Sequence, residues 1–150
     1  MTLEIIAGTL KDAGMSSSGV YRCLLKEFIG TPYEWGGSGL RGCDCSGSVC
    51  AALSYATGKF IRVTADDLYR RVFTKAVPED ENMRDSICAA FFLDETGKAV
   101  HVAGYCGLYV NVSKLEKNRR GALRTLEELK TMYPHLKVEV RKLREDYCHG

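Results

Sequence analysis

The sequence is poor in the residues that would place it in the simpler functional classes. Histidine occurs only three times, at positions 101, 135 and 149. With the seven cysteines these fit no four-ligand zinc pattern of the CxxC…CxxC or CxxC…HxxxH kind. An odd number of cysteines in a 150-residue chain, long enough to bury a real core, argues against a disulfide framework and for mostly free thiols made in a reducing compartment. Long apolar runs are missing too. The stretch from Met1 to Lys11 carries Glu4, so it reads as neither a signal peptide nor a membrane span. The expectation is synthesis in the cytoplasm without a leader, with another carrier needed if the protein acts outside the cell. There is no internal repeat and no low-complexity segment. At 45% hydrophobic and 27% charged, the chain reads as one globular domain over residues 1–150.

Charge is nearly balanced at +2 but unevenly placed. From Lys114 to Arg144 there are ten Lys and Arg against four Glu, about +6, which leaves about −4 for the rest. A solvated helix and an edge strand account for this. Attraction to an anionic polymer such as a cell-wall polysaccharide is the alternative. No aromatic residues alternate with those charges as stacking platforms, so nucleic acid is not an expected partner.

The chemistry that is present centres on Gly42-Cys43-Asp44-Cys45-Ser46-Gly47-Ser48-Val49. From Cys45 to Thr57 the spacing predicts a helix, with Val49, Ala52, Leu53 and Ala56 on one face and Gly58 as a left-handed C-cap. Cys45 shares that face, so it is expected to look inward. A thiol in the first turn of a helix meets free backbone N–H groups and the positive end of the macrodipole, which favour thiolate. The same amides can hold an oxyanion. Cys45 is therefore the candidate nucleophile.

Around this stretch the chain reads as helices followed by strands. Residues 1–14 give no assignable element. Ser16 to Ser18 offers an N-cap for a helix from Gly19 to Ile29, stopped by Gly30-Thr31-Pro32. The glycine-rich loop 30–44 follows, in which Trp35 reads as a packing anchor. Thr64 followed by Asp67 resembles a capping box for a short surface helix before Phe73. Pro78 to Asp85 reads as a loop. Ile87 to Leu93 and Lys98 to Cys106 form a predicted β-hairpin about the turn Asp94 to Gly97, with a third strand from Tyr109 to Ser113. Leu123 to Met132 is a predicted helix ended by Pro134, and Leu136 to Leu143 a last strand. This order is that of an α+β fold with an antiparallel sheet.

A nucleophilic cysteine needs an imidazole in reach, and the imidazole needs a third group to fix its tautomer. His149 is next to the carboxyl terminus and His135 follows Pro134 in a loop, whereas His101 lies within a strand beside small Ala103, which leaves room for a helix end. With Tyr105-Cys106-Gly107 as a three-residue loop, His101 stands directly opposite Asn111, whose amide oxygen could orient the ring. A two-residue loop would put Val112 there instead. Taken alone, a structural histidine and a strand-end asparagine remain the simpler reading of this pair.

Gly30-Thr-Pro-Tyr33-Glu-Trp35-Gly-Gly37, then Gly42-Cys-Asp44-Cys45-Ser46-Gly47, then Phe91-Phe-Leu-Asp94 and His101-Val-Ala-Gly-Tyr-Cys-Gly107 resemble, in this order, the NlpC/p-sixty family of cell-wall cysteine peptidases. The resemblance runs from about Gly19 to Ser113. It implies a papain-like α+β fold in which a helix carries the nucleophile and a central antiparallel sheet supplies the histidine. Cys45 would be the nucleophile, His101 the base and Asn111 the third polar residue. Tyr33 would line the site, and Asp44 and Ser46 would help hold the amino end of a stem peptide. The implied reaction is hydrolysis of the γ-D-glutamyl–diamino acid amide of peptidoglycan, with no metal and no organic cofactor.

Three departures bear on substrate preference. Cys43 replaces an apolar residue, the hairpin after His101 is about two residues shorter than is common, and Arg84-Asp85-Ser86 stands in place of a Pro-Gly-Asp lead. A free-standing, leaderless member resembles forms delivered by phage particles, with phage tail proteins as partners. A phage tail-tip or assembly component with the same fold and little turnover is the second reading. A metal set of Cys43, Cys45, Cys106 and His101 is the third, at a poor spacing.

Overall fold

The computed structural model describes residues 2–79 and 85–147. Within them, α1 (Leu3–Asp12) and α2 (Ser17–Lys26) lead into a two-stranded turn of β1 (Ser38–Gly39) and β2 (Gly42–Cys43). Then come α3 (Cys45–Thr57), α4 (Ala65–Asp67) continued by a π-helical turn (Leu68–Val72), and β3 (Lys75–Ala76). The rest is β4 (Cys88–Leu93), β5 (Ala99–Tyr105), β6 (Tyr109–Asn111), β7 (Ala122–Arg124), α5 (Leu126–Met132) and β8 (Lys137–Lys142). Six strands form one antiparallel sheet in the order β3-β8-β4-β5-β6-β7. This is the α+β architecture expected from the sequence.

The helices form because their ends are satisfied. Ser16 caps α2 by accepting from Gly19 N–H at 3.2 Å, and Asp44 caps α3 by accepting from Gly47 N–H at 2.7 Å. Gly58 closes α3 at φ 77°, the left-handed position foreseen for it. Thr125 and Glu128 form a full capping box on α5. The segment 1–14, unassigned from sequence, contains α1, capped by Thr2.

The central strand β4 is buried along its whole length because both faces of the sheet are covered. Ala89, Phe91 and Leu93 join the core made by α1, α2 and α3. Cys88, Ala90 and Phe92 face a second cluster that includes Leu129 of α5 and Tyr133. Burial on both faces turns β4 from an alternating pattern into a continuous apolar run. Across the first interface the buried Tyr21 hydroxyl donates to the Cys88 carbonyl at 3.0 Å, tying α2 to β4.

Several sequence expectations are corrected here. Leu123 belongs to β7, not to the helix that follows. The helix before Phe73 is not a surface element, since Leu68 and Phe73 are fully buried, and its second half widens into the π-helical turn. Thr64 does cap it, but Asp67 returns a side-chain contact rather than the backbone arm of a capping box, with the Thr64 hydroxyl donating to the Asp67 carboxylate at 3.0 Å. Residues 80–84 of the expected loop, Arg84 included, lie outside the described residues, as does His149.

The β5–β6 hairpin is the correction that touches the site. Its ladder pairs Gly104 with Val110 and Tyr105 with Tyr109, so the loop is Cys106-Gly107-Leu108 and not Tyr105-Cys106-Gly107. Gly107 sits mid-loop at φ 103°, and the Cys106 N–H donates to the Leu108 carbonyl at 2.7 Å. The tyrosine rings of the terminal pair meet edge to face at 5.4 Å, which favours this register. Asn111 is thereby diagonal to His101 instead of directly opposite. The shift is even, so both side chains stay on one face.

Replacing Tyr21 by Phe removes the buried donor to the Cys88 carbonyl while keeping the ring. Urea unfolding should show a loss of about 1–2 kcal/mol with an unchanged m-value.

Candidate active site

The loop before α3 is built by close backbone approaches that only glycine allows. A Cβ on Gly47 would collide with the Gly37 carbonyl oxygen, and one on Gly37 would lie 2.5 Å from the Gly42 carbonyl oxygen. The buried Asp44 carboxylate then collects four donors: Gly47 N–H (2.7 Å), Gly36 N–H (2.9 Å), the Ser46 hydroxyl (3.2 Å) and the Arg62 guanidinium (3.0 Å). Arg62 also donates to Ser46 Oγ at 3.1 Å. Asp44 and Ser46 are thus part of the scaffold that fixes the first turn of α3.

That turn sets Cys45 against β5. The backbone N–H groups of Val102, Ser46 and Cys45 itself lie near its sulfur and favour the thiolate. The first of these belongs to the peptide that joins His101 to Val102, so thiol and imidazole are carried by elements in direct contact. The helix start meets the strand backbone, not the space above Ala103; the ring stacked on His101 is Tyr133, at 4.6 Å. A bulge at Val100, between the pairs Phe92–His101 and Leu93–Ala99, re-aims β5 immediately before the histidine.

His101 is 7% exposed and Asn111 fully buried. Nε2 of His101 lies 2.6 Å from Oδ1 of Asn111. His135, by contrast, is exposed. Tyr33 is half-buried, with the Lys114 ammonium 5.6 Å and the Arg119 guanidinium 6.0 Å from its ring centre. Burial raises its phenol pKa, helped by the proximity of Cys45 and Asp44. Cys45, His101, Asn111, Tyr33, Asp44 and Ser46 thus lie around the start of α3 and the strand it packs on.

Electrostatics here differ from the sequence expectation. Burial pushes the Cys45 thiol up to about 11, against the pull of the three N–H groups, although the residue keeps a solvent-facing edge. Burial likewise lowers His101 to about 4, against the Asn111 hydrogen bond and the Glu116 charge, which raise it. The resting pair is a thiol and a neutral imidazole, because loss of solvation outweighs the helix-start amides. Such a pair is suited to general-base transfer rather than to a standing ion pair.

Cys43 has a plain role. It is fully buried in the core below the loop, where it serves as a small apolar residue, and both it and Cys45 are free thiols. Cys50 and Cys88 are buried as expected. Trp35 is not an anchor: at 83% exposure it projects from its loop, which is held by the Asp44 network instead. Among the described residues no three His, Cys, Asp or Glu side chains gather as metal ligands, so the set Cys43, Cys45, Cys106 and His101 is not assembled. Nor is any helix long and apolar enough to cross a membrane.

Sequence reasoning missed Arg62, Tyr133, Glu116 and Arg124. Arg62 stands in an irregular segment without a motif. Tyr133 had one available signal, the Pro134 that follows it and ends the helix there.

A family model described as the NlpC/P60 family matches residues 30–149. Among solved structures, NlpC2 from Trichomonas vaginalis is 22% identical with a TM-score of 0.63, over 85% of this chain and 47% of that one. NlpC1 from the same organism is 23% identical with a TM-score of 0.60, over 87% of this chain and 44% of that one. The chain thus spans less than half the length of either. The NlpC/p60 domain of the peptidoglycan hydrolase SagA is 21% identical with a TM-score of 0.59, over 82% of this chain and 97% of that domain. No curated protein matches the sequence significantly.

The lowered His101 pKa makes stability fall with acid. Between pH 6.5 and 4 the unfolded chain binds a proton at this residue that the folded chain does not, so its contribution is complete above 6.5 and lost as pH falls toward 4. Denaturant melts at pH 7.5 and pH 5 should differ by about 2 kcal/mol from this residue alone. The same pair of melts on His101→Gln should show that part of the slope missing.

Proposed function

The chain belongs to the NlpC/P60 family, and we propose that it is a cysteine peptidase that hydrolyses an amide bond in the stem peptides of bacterial peptidoglycan, at the γ-D-glutamyl–diamino acid bond. The observation that carries this reading is that α3 packs on β5 with the Val102 N–H near the Cys45 sulfur, while the preceding residue is the buried His101, whose Nε2 is bonded to Asn111.

In the proposed reaction His101 takes the thiol proton as Sγ attacks the amide carbonyl. The oxyanion that forms is stabilised by first-turn N–H groups of α3. The C–N bond then breaks, His101 gives its proton to the leaving amine, and a thioester remains on Cys45. Water, deprotonated by His101, cleaves the thioester, and the proton returns to the thiolate. Asn111 keeps the ring oriented throughout. Tyr33 lines the cleft, and Asp44 and Ser46, steadied by Arg62, face the amino side of the stem. We place the site of action at the bacterial cell wall.

Purified protein incubated with stem peptides of different diamino acids, followed by mass analysis, tests the reading. Products cut after the γ-D-glutamyl residue are expected, with kcat reduced about 10³-fold or more in Cys45→Ala and about 10²- to 10⁴-fold in His101→Ala. The acid limb of the pH profile should fall near pH 4 rather than near 6.5, because His101 must be neutral to act. Intact, folded protein that cuts none of the stems would favour the tail-tip or assembly reading instead.

A further inference from the structure

Behind Asn111 the site continues into a buried ion pair. Nδ2 of Asn111 donates to Oε2 of Glu116 at 2.8 Å, and Glu116 is only 4% exposed. Its carboxylate is gripped by Arg124, with Nη2 to Oε1 at 2.6 Å and Nε to Oε2 at 3.0 Å. Arg124 lies on β7 and is held in turn by Glu128 of the α5 capping box, at 3.3 Å. The loop that presents Glu116 is itself constrained. The Arg119 N–H donates to the Glu116 carbonyl at 2.8 Å, and both Asn118 and Arg119 adopt left-handed backbone at φ 59° and 55°. Two non-glycine residues in that region carry a conformational cost, which the surrounding bonds must offset.

An ionised carboxylate accepts hydrogen bonds and donates none. It therefore dictates which end of the Asn111 amide faces it. With NH₂ turned toward Glu116, the amide oxygen is left for His101, and an oxygen at 2.6 Å from Nε2 requires the proton on Nε2. Nδ1 is then unprotonated and free to act as the base. We propose that Glu116 and Arg124 are positioning residues that set the His101 tautomer through Asn111, acting on the reacting atoms without touching them. Arg124 supplies the countercharge that keeps Glu116 an acceptor: burial alone would raise the carboxyl pKa, but the bonds from Arg124 and Asn111 hold it below the usual range.

The inference rests on the reading of Cys45 and His101 as nucleophile and base, and not on the choice of substrate. Its test uses two measurements on the whole chain that need no substrate. Two-bond ¹H–¹⁵N NMR at pH 7 reports the His101 tautomer, and the rate of iodoacetamide labelling mapped to Cys45 reports the action of the base. The wild type should show the Nε2–H form. In the double variant Glu116→Leu/Arg124→Leu, which replaces the buried pair by apolar groups, the ring should move toward the Nδ1–H form and Cys45 labelling should slow roughly tenfold or more. Glu116→Gln, whose amide presents a donor as well as an acceptor, should move both quantities in the same direction by less. A purely structural pair would change the melting temperature and neither of these. A folded double variant with the wild-type tautomer and labelling rate overturns the proposal. If the double variant does not fold, Glu116→Gln decides by the same two measurements. Failure to cut any stem peptide would remove the substrate assignment and leave both measurements standing.

Discussion

Four donors converge on the Asp44 carboxylate, and the rest of the site hangs on that convergence. Gly47 N–H fixes the start of α3, Gly36 N–H draws the glycine-rich loop down onto it, and Ser46 and Arg62 close the remaining sides. One buried anion at a helix N-terminus thus does the work of cap, loop clamp and countercharge together. Because the clamp uses the Gly47 N–H for the cap, the N–H groups of Cys45 and Ser46 lie free near the sulfur and pull its pKa down. The placement of Cys45 is a by-product of how the helix begins.

The two halves of the site solve opposite problems with burial. Around Cys45 and His101, exclusion of water keeps both groups neutral. Around Glu116 and Arg124, the same exclusion is answered by a full set of hydrogen bonds, so a charged pair survives in the interior. Asn111 sits between a neutral ring and a fixed anion. Its amide, uncharged but with a donor end and an acceptor end, is suited to join them.

Much of this was legible in the sequence, for reasons particular to each element. The helix from Cys45 to Thr57 could be read to the residue because Asp44 and Gly58 are strong end signals and the apolar spacing between them is regular. His101 could be singled out because, among the described histidines, it alone lies inside a strand, while Asn111 stays on its face only because the observed register differs from the expected one by an even step. What could not be read depends on contacts distant in the chain. The hairpin register turns on the Tyr105–Tyr109 ring pair as much as on Gly107. The two-residue strand Lys75–Ala76 exists only because β8 lies alongside it, and three-residue β7 owes its form to β6. Local helix-start physics suggested a lowered thiol pKa, whereas burial supplied by the whole fold raises it. The Glu116–Arg124 pair left no local pattern at all, since a Glu eight residues before an Arg is invisible until the loop between them turns inward.

The place of β8 in the sheet has a kinetic side. It is the last in chain order of the described strands, yet it lies between β3 and β4, and β4 is hydrogen-bonded to β5, the strand that carries His101. During synthesis Cys45 and its helix emerge early, while the strand that completes the centre of the sheet emerges almost a hundred residues later. Contacts of such sequence separation are slow to form. A ribosome-bound chain therefore holds the α3 segment well before it holds β8, and the sheet that carries His101 is completed only once β8 has emerged.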